Sequence, residues 1–211
     1  MSWFSKGYER VKEVGQQIEA AMNQEYLPTF FLRAGEEARV TFLTDEPITF
    51  YEHFVKGLNR TFTCPGTGDC PLCALGNKPS FRGGYLIVDH RLESWKDKQT
   101  GEQRSRQHAV KVMKHGIRAL QVLERKATRH GLLNHDWIIC RTGEGNQTQY
   151  DFENEELSKD FPLPEKMPSL EEVLKPKDRD YLLRQIAQAG LGQPNLTRFD
   201  VKDEEEGIIP F

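Results

Sequence analysis

The sequence of 211 residues has no long hydrophobic run, and this absence argues against a membrane-spanning helix. No stretch approaches the roughly 18 apolar residues that such a helix needs. The opening residues Met-Ser-Trp-Phe-Ser-Lys do not resemble a signal peptide. We therefore expect a soluble, cytoplasmic protein without a membrane partner.

Signatures of catalysis are missing as well. The sequence has no evident activated nucleophile, no paired carboxylates and no phosphate-binding Gly-Lys-Ser/Thr loop. The expected cytoplasmic location argues against disulfides among its four cysteines. We expect a binding protein and not an enzyme. A zinc enzyme such as a nuclease is an alternative, in which metal loss would abolish turnover without unfolding the metal loop.

Charge is divided unevenly along the chain, although the net charge is only −3. Residues 1–150 carry 21 basic and 17 acidic side chains, a net of +4, whereas residues 151–211 carry 8 and 15, a net of −7. Residues 96–129 are the most basic, with 10 basic and 3 acidic side chains. A basic body with an acidic tail is typical of a polyanion binder that carries its own competitor. A basic helix face that merely contacts solvent is the alternative.

Short alternating segments predict a small domain rich in strands. The strand segments are 30–32, 38–42, 48–55, 84–89, 135–139 and 148–152, and the polar stretch 96–106 reads as a loop or hairpin tip. Val110, Met113, Ile117, Leu120 and Leu123 recur at helical spacing and predict one helix. The expected fold is mainly β with helices (α+β): an OB-fold-like small barrel with an inserted zinc loop, flanking helices and a disordered acidic tail.

Four regions follow from these patterns. Residues 1–25 form an amphipathic helix or arm, of which residues 1–22 either pack on the core or mediate self-association. Residues 26–155 form the core, with a zinc loop at 53–76. Residues 156–198 contain a linker and a helix, which starts at a capping box of Ser169 and Glu172 and ends at Gly190. Residues 199–211 form the tail.

A cysteine cluster predicts one structural zinc ion. Cys70 and Cys73 are separated by two residues in a tight turn stiffened by Pro71, and Cys64 lies in the same loop. Structural zinc takes four soft ligands in a tetrahedron, so one ligand must come from elsewhere. His53, at the end of a strand, is the favoured fourth ligand, and His90 is the alternative. A redox Cys-x-x-Cys pair is the less favoured reading, because such pairs usually lack a third thiol nearby.

Aromatic and basic residues near the strands predict a groove for single-stranded nucleic acid, which needs rings for bases and cations for phosphates. For any single ring, a place in the core is as good a reading as stacking, and the favoured members are Arg60, Trp95, Arg141 and Tyr150. The full candidate set is Tyr51, Lys56, Arg60, Phe62, Arg82, Tyr85, Arg91, Trp95, Lys111, Lys114, Arg141 and Tyr150.

The last twelve residues combine an acidic run with an apolar end. The run cannot pack because its charges repel, yet the end would favour a pocket, which predicts a tether that docks on a partner. The alternative is a solubilising tail. The predicted partner-binding residues are Asp203, Glu204, Glu205, Glu206, Ile209, Pro210 and Phe211.

Two stretches resemble known proteins. The acidic run followed by Ile209-Pro210-Phe211 resembles the tip of bacterial single-stranded DNA-binding proteins. An upstream histidine, a cysteine, Cys-Pro-Leu-Cys, and the later segments 84–89 and 141–150 resemble the zinc-containing, helix-destabilising single-stranded DNA-binding proteins of tailed bacteriophages. The gap between Cys64 and Cys70 is tighter than in the best-known members.

The resemblance implies a sequence-independent protein that coats and protects single-stranded DNA in phage replication, recombination and repair, within the host cytoplasm. It also implies that the tip recruits a polymerase, helicase or recombinase and competes with DNA for the groove. A zinc-ribbon protein–protein interaction or transcription factor without affinity for single strands is the other reading.

Overall fold

The computed structural model describes residues 27–66, 68–97, 100–158, 161 and 167–192. The strands are β1 (Glu37–Phe42), β2 (Ile48–Val55), β3 (Arg60–Thr63), β4 (Ser80–Asp89), β5 (Glu93–Lys96), β6 (Gln103–Arg106), β7 (Ala109–His115), β8 (Asp136–Thr142) and β9 (Gln149–Glu155). The α-helices are α1 (Pro71–Ala74), α2 (Ile117–His130), α3 (Leu170–Leu174) and α4 (Arg179–Gln188). Short 3₁₀ turns cover Lys56–Leu58 and Gly145–Gln147.

Strand β4 organises a seven-stranded antiparallel sheet. One edge of β4 pairs with β7 over Gly83–Asp89, while the other edge pairs first with β2 and then with β1. The sheet continues from β2 to β3 on one side and from β1 through β8 to β9 on the other. Among the described strands, no hydrogen-bonded ladder joins β7 to β9, so the sheet does not close into a barrel. The fold as a whole is a mixed α+β arrangement.

The main core lies on one face of this sheet, because inward and outward residues alternate along each strand. Phe42 contacts Tyr85 and Trp137 edge-on, with ring centroids 5.3 and 6.2 Å apart. Helix α2 covers this face with Leu120 and Leu123. Gly83 makes the close approach possible, since a Cβ there would lie 2.7 Å from a methyl carbon of Leu120. Burial of these side chains supplies the main driving force for folding.

The helix predicted from Val110 to Leu123 is wrong in its first half. Residues 109–115 form strand β7, and the helix begins only at Ile117, after Gly116. Along β7 the residues Ala109, Lys111, Met113 and His115 are buried, which is a period of two. The apolar residues of β7 and of the start of α2 happen to follow one another at intervals of three or four residues, which is why the sequence predicted one helix.

The single helix predicted between Ser169 and Gly190 is two helices. Ser169 does begin α3, where its Oγ accepts a hydrogen bond from the Glu172 N–H at 3.3 Å. Pro176 then disfavours helical backbone at Lys175, whose ψ is 129°, and the helix ends. Asp178 begins α4 by accepting a hydrogen bond from the Tyr181 N–H at 2.7 Å.

Two smaller clusters fasten these helices. Helix α3 packs its buried Leu170 and Leu174 on the outer face of β4 and β7, against Leu86 and Val112. Helix α4 instead packs on the lobe formed by β2, β3 and α1, where its buried side chains contact apolar residues and a cysteine. The members of this second cluster are Val55, Phe62, Cys70, Leu72, Leu182 and Ile186.

Candidate metal centre and candidate nucleic-acid interface

The four predicted metal ligands come together in the β2–β3 lobe. One imidazole nitrogen of His53 and the Sγ atoms of Cys64, Cys70 and Cys73 all lie within 4.8 Å of one another. His53 Nε2 is 3.3 Å from Cys70 Sγ and 3.5 Å from Cys73 Sγ, and the Sγ atoms of Cys64 and Cys73 are 3.7 Å apart. This group could hold one metal ion.

Local backbone structure brings these ligands to one point. His53 lies on β2 opposite Phe62 of β3, so the cysteine that follows β3 returns to the level of the histidine. The Cys64 N–H fixes this return by donating to the Tyr51 carbonyl at 2.8 Å. Cys70 begins helix α1 as its N-cap, with proline at the first turn, and Cys73 lies inside that helix.

Asn77 orients the imidazole. His53 Nδ1 lies 3.2 Å from the Asn77 side-chain oxygen, so it carries the proton and donates, which leaves Nε2 free to face the thiols. The Asn77 amide nitrogen donates to the Phe54 carbonyl at 3.1 Å, which fixes its own orientation. A hydrogen bond to the second nitrogen of a ligating histidine is typical of metal sites.

The electrostatics of the cluster favour a cation. Burial and hydrogen bonding with Cys64 raise the pKa of Cys73 to about 12, and burial also raises the pKa of Cys70. Burial lowers the pKa of His53, which keeps its imidazole neutral. Neutral imidazole suits metal binding, and a divalent cation would compensate the charge of the thiolates that burial alone disfavours.

His90, the alternative fourth ligand, lies outside this cluster. Its ring contacts Thr41 and His108 at the far end of β4. Cys140 is also separate: it is half-buried on β8, with Sγ 3.7 Å from a Glu37 carboxylate oxygen.

Three residues of the predicted nucleic-acid set are buried and therefore cannot contact a ligand in this structure. Tyr85 belongs to the main core, and its burial raises its pKa to about 12. Phe62 packs against Tyr181 of α4. Lys111, only 3% exposed, binds Asp89 at 2.7 Å and also Glu93. All three side chains are buried because alternate side chains along β3, β4 and β7 point inward.

The other predicted residues reach the surface to different degrees. Tyr150 is half-buried against His115, with ring centroids 4.3 Å apart, and Arg82 and Lys114 both contact the Glu52 carboxylate. Arg91 and Arg141 are half-buried as well, and the exposed members of the set are Tyr51, Lys56, Arg60 and Trp95.

Two exposed rings lie beneath guanidinium groups. The Arg141 Cζ lies 5.4 Å from the ring centroid of Phe31, which is 62% exposed. The Arg106 Cζ lies 5.5 Å from the ring centroid of Trp95, which is 42% exposed. Sequence reasoning missed Phe31 and Arg106. The signal for Phe31 was its place between Phe30 and Leu32, which are buried, because alternation then turns Phe31 outward.

One hydrogen bond and a chain of ion pairs connect the Phe31 backbone to Arg106, whose guanidinium lies over Trp95. Arg91 donates from Nη2 to the Phe31 carbonyl at 3.1 Å and to Asp89 at 2.8 Å. The buried ammonium group of Lys111 continues the chain from Asp89 to Glu93. Arg106 Nε closes it at 3.0 Å from Glu93.

The charge states along this chain are fixed by its contacts. Burial opposes ionisation of Asp89, but hydrogen bonds from Arg91 and Lys111 outweigh it and lower the pKa of Asp89. The pKa of Glu93 is lowered in the same way, because Lys111 and Arg106 offset its burial. Both carboxylates are therefore acceptors that position cations around the two rings.

The predicted partner-binding residues 203–206 and 209–211 and the arm 1–22 lie outside the described residues. Among the described residues, no helix has the length and apolar character to cross a membrane. Comparison with protein-family models, with curated proteins and with solved structures finds no match for this chain.

Proposed function

We propose that this chain is a single-stranded DNA-binding protein that holds its strand without regard to sequence. The carrying observation is the pair of exposed rings, Phe31 and Trp95, each under a guanidinium group and linked by one ion-pair chain. Flat rings stack on bases of any identity, and cations beside them bind the intervening phosphates. A surface of this kind suits a single strand, whose bases are free to stack.

The strand order supports an open barrel of the OB type. Strands β1, β4, β7, β8 and β9 pair in the order β7-β4-β1-β8-β9, and helix α2 connects β7 to β8. The OB-fold is a five-stranded, partly open barrel. His115 of β7 touches Tyr150 and Phe152 of β9, so side chains bridge the gap that hydrogen bonds leave open.

We assign the metal as one structural zinc ion. Three thiols and one imidazole form the closed ligand set of structural zinc sites, with no position left for a reacting water. When bound, zinc would hold Cys64, Cys70, Cys73 and His53 together. The lobe would then present α1 and β3 as a fixed surface for helix α4.

The acidic tip supplies the proposed regulation. In the absence of DNA, the run 203–206 would bind the basic groove as a strand does, and incoming DNA would displace it. Residues 209–211 would then be free to dock on replication or recombination enzymes, and the arm 1–22 would mediate self-association on DNA. The proposal involves no catalytic step.

Binding of labelled oligo(dT), followed by fluorescence anisotropy, tests the function. The full chain should bind the single strand more tightly than duplex DNA, less tightly at high salt, and more tightly after deletion of residues 200–211. Phe31→Ala and Trp95→Ala should each weaken binding roughly tenfold, because one stacked base is worth about 1–3 kcal/mol. Leu191→Ala, another exposed apolar residue, is the matched control and should change nothing.

No binding by either the full or the truncated chain would refute the proposal. It would favour the other reading, a zinc-dependent protein–protein interaction module.

A further inference from the structure

Two histidines meet where the β5–β6 hairpin joins the sheet. The β4–β7 ladder ends at Asp89 opposite Ala109, and the hairpin ladder begins at Glu93 opposite Arg106. His90 and His108 lie between these two ladders, one on each chain segment, and their Nδ1 atoms are 2.8 Å apart. The imidazole pair thus occupies the hinge between the hairpin and the body.

The surrounding hydrogen bonds fix where each proton lies. The Asp136 carboxylate accepts from Arg39 Nε at 2.8 Å and from the Thr41 hydroxyl. Because Thr41 has used its only hydrogen, its oxygen must accept from His90 Nε2, which is 2.8 Å away. His90 Nδ1 is then an acceptor, and His108 Nδ1 donates to it. The contact therefore needs one proton between the two nitrogens.

Phe161 and charged groups lie next to the histidine pair. The ring of Phe161 stacks on His108 with an interplanar angle of 22° and meets the edge of His90, with a centroid distance of 4.7 Å. The groups whose charge acts on His90 are Asp136, His108, Arg39 and Asp89, and Arg39 Nη1 lies 3.5 Å from Glu155 Oε2. Burial lowers the pKa of His90, and Asp136 only partly opposes this.

We propose that His90 and His108 form a proton-sensitive hinge, which fixes the β5–β6 hairpin against the sheet at neutral pH and loosens it in acid. One added proton can be shared, because His108 can shift its own proton to Nε2 and accept from a charged His90. A second proton places two N–H groups against each other and adds like-charge repulsion. The contact then breaks, and the Lys111–Glu93 ion pair is left to hold the hairpin on the sheet.

The consequence for DNA rests on the proposed function. The hairpin carries Trp95 and Arg106, while Phe31 and Arg141 stay with the body. Opening the hinge would separate the two ring pairs and weaken binding of a strand that spans them. The hinge itself can be measured without DNA.

Fluorine NMR of the full chain labelled with 5-fluorotryptophan tests the hinge directly. The resonance of Trp95, assigned with Trp95→Phe, should shift as the pH falls from about 8 to about 5. Long-range ¹H–¹⁵N spectra should show the His90 ring gaining its proton in the acid part of that range, because burial lowers the pKa of His90. His108→Asn and His90→Gln should each abolish the shift. His130→Asn, at the end of α2, should leave it intact.

A Trp95 resonance that stays constant over this range would overturn the proposal, as would a shift that survives in both hinge variants. The His108→Asn variant keeps the buried Thr41–Asp136 contact, so a folding failure at His90 would not prevent the test. Oligo(dT) affinity of the wild type should fall several-fold over the same range, and that of His108→Asn should not. Absence of DNA binding at pH 8 would refute the proposed function, whereas the fluorine shift alone decides the hinge.

Discussion

His115, at the end of β7, should make the protein less stable in mild acid. Its ring is buried against Tyr150 and Phe152, and among the described residues its Nε2 has no hydrogen-bond partner. Burial, helped by the charge of Arg82, lowers the pKa of His115 from 6.5 to about 4. The unfolded chain therefore gains a proton near pH 6.5, which the folded protein does not gain until about pH 4. Stability must fall as the pH falls through this window.

The size of the loss follows from these two pKa values. A pKa difference of one unit corresponds to about 1.4 kcal/mol, and the two titration curves give a loss of about 2 kcal/mol between pH 7.5 and pH 5. His115→Phe keeps a ring in the apolar contacts but cannot titrate. The variant should therefore lose about 2 kcal/mol less than the wild type over this interval.

Urea denaturation at both pH values measures the difference, because every other titrating group contributes equally to the two proteins. His130→Phe, at the exposed end of α2, is the matched control and should lose as much stability as the wild type. If His115→Phe also lost as much as the wild type, burial of a neutral imidazole would be refuted as the cause. His115→Leu serves as a second variant if phenylalanine proves too large for the site.

Two further predictions concern the metal lobe and the ion-pair chain. Cys73→Ser should abolish binding of one zinc ion per chain, measured by elemental analysis. It should also speed hydrogen exchange of the α4 amides, because α4 packs on the lobe formed by β2, β3 and α1. Cys140→Ser, the control, should change neither measurement. Lys111→Met should lower the free energy of unfolding by roughly 1–3 kcal/mol, because the buried Asp89 carboxylate keeps Arg91 but loses a charged hydrogen-bond donor. The exposed Lys56→Met should leave the unfolding midpoint unchanged, and equal effects of the two substitutions would contradict the buried pairing.

The metal ligands could be predicted because they are largely encoded locally. Cys64, Cys70 and Cys73 lie within ten residues, and a hairpin necessarily returns the chain to His53. Strands β1, β2, β4, β8 and β9 were likewise predicted by alternation over short windows, whereas β3, β5, β6 and β7 were not. The open or closed state of the barrel was not, since it depends on contacts between β7 and β9 that no local pattern records.

The nucleic-acid candidates show what sequence cannot supply. Lys111 looks like a surface cation in a basic stretch, and only its distant partners Asp89 and Glu93 make its burial tolerable. Tyr85 and Phe62 are aromatic residues close to predicted strands, as Trp95 is, yet the register of their strands turns their side chains inward. Spacing gives the alternation of faces, but it does not say which face the rest of the chain will cover.

The pairing of β4 with both β1 and β2 affects how the whole molecule unfolds. Because one edge of it carries both β2 and β1, the metal lobe and the main core belong to a single hydrogen-bonded frame. Slippage of β4 by one residue would expose Ile87 and at the same time move the hairpin that holds His53. The lobe and the core should therefore be lost in one cooperative step, with the amides of β4 among the last to exchange with solvent.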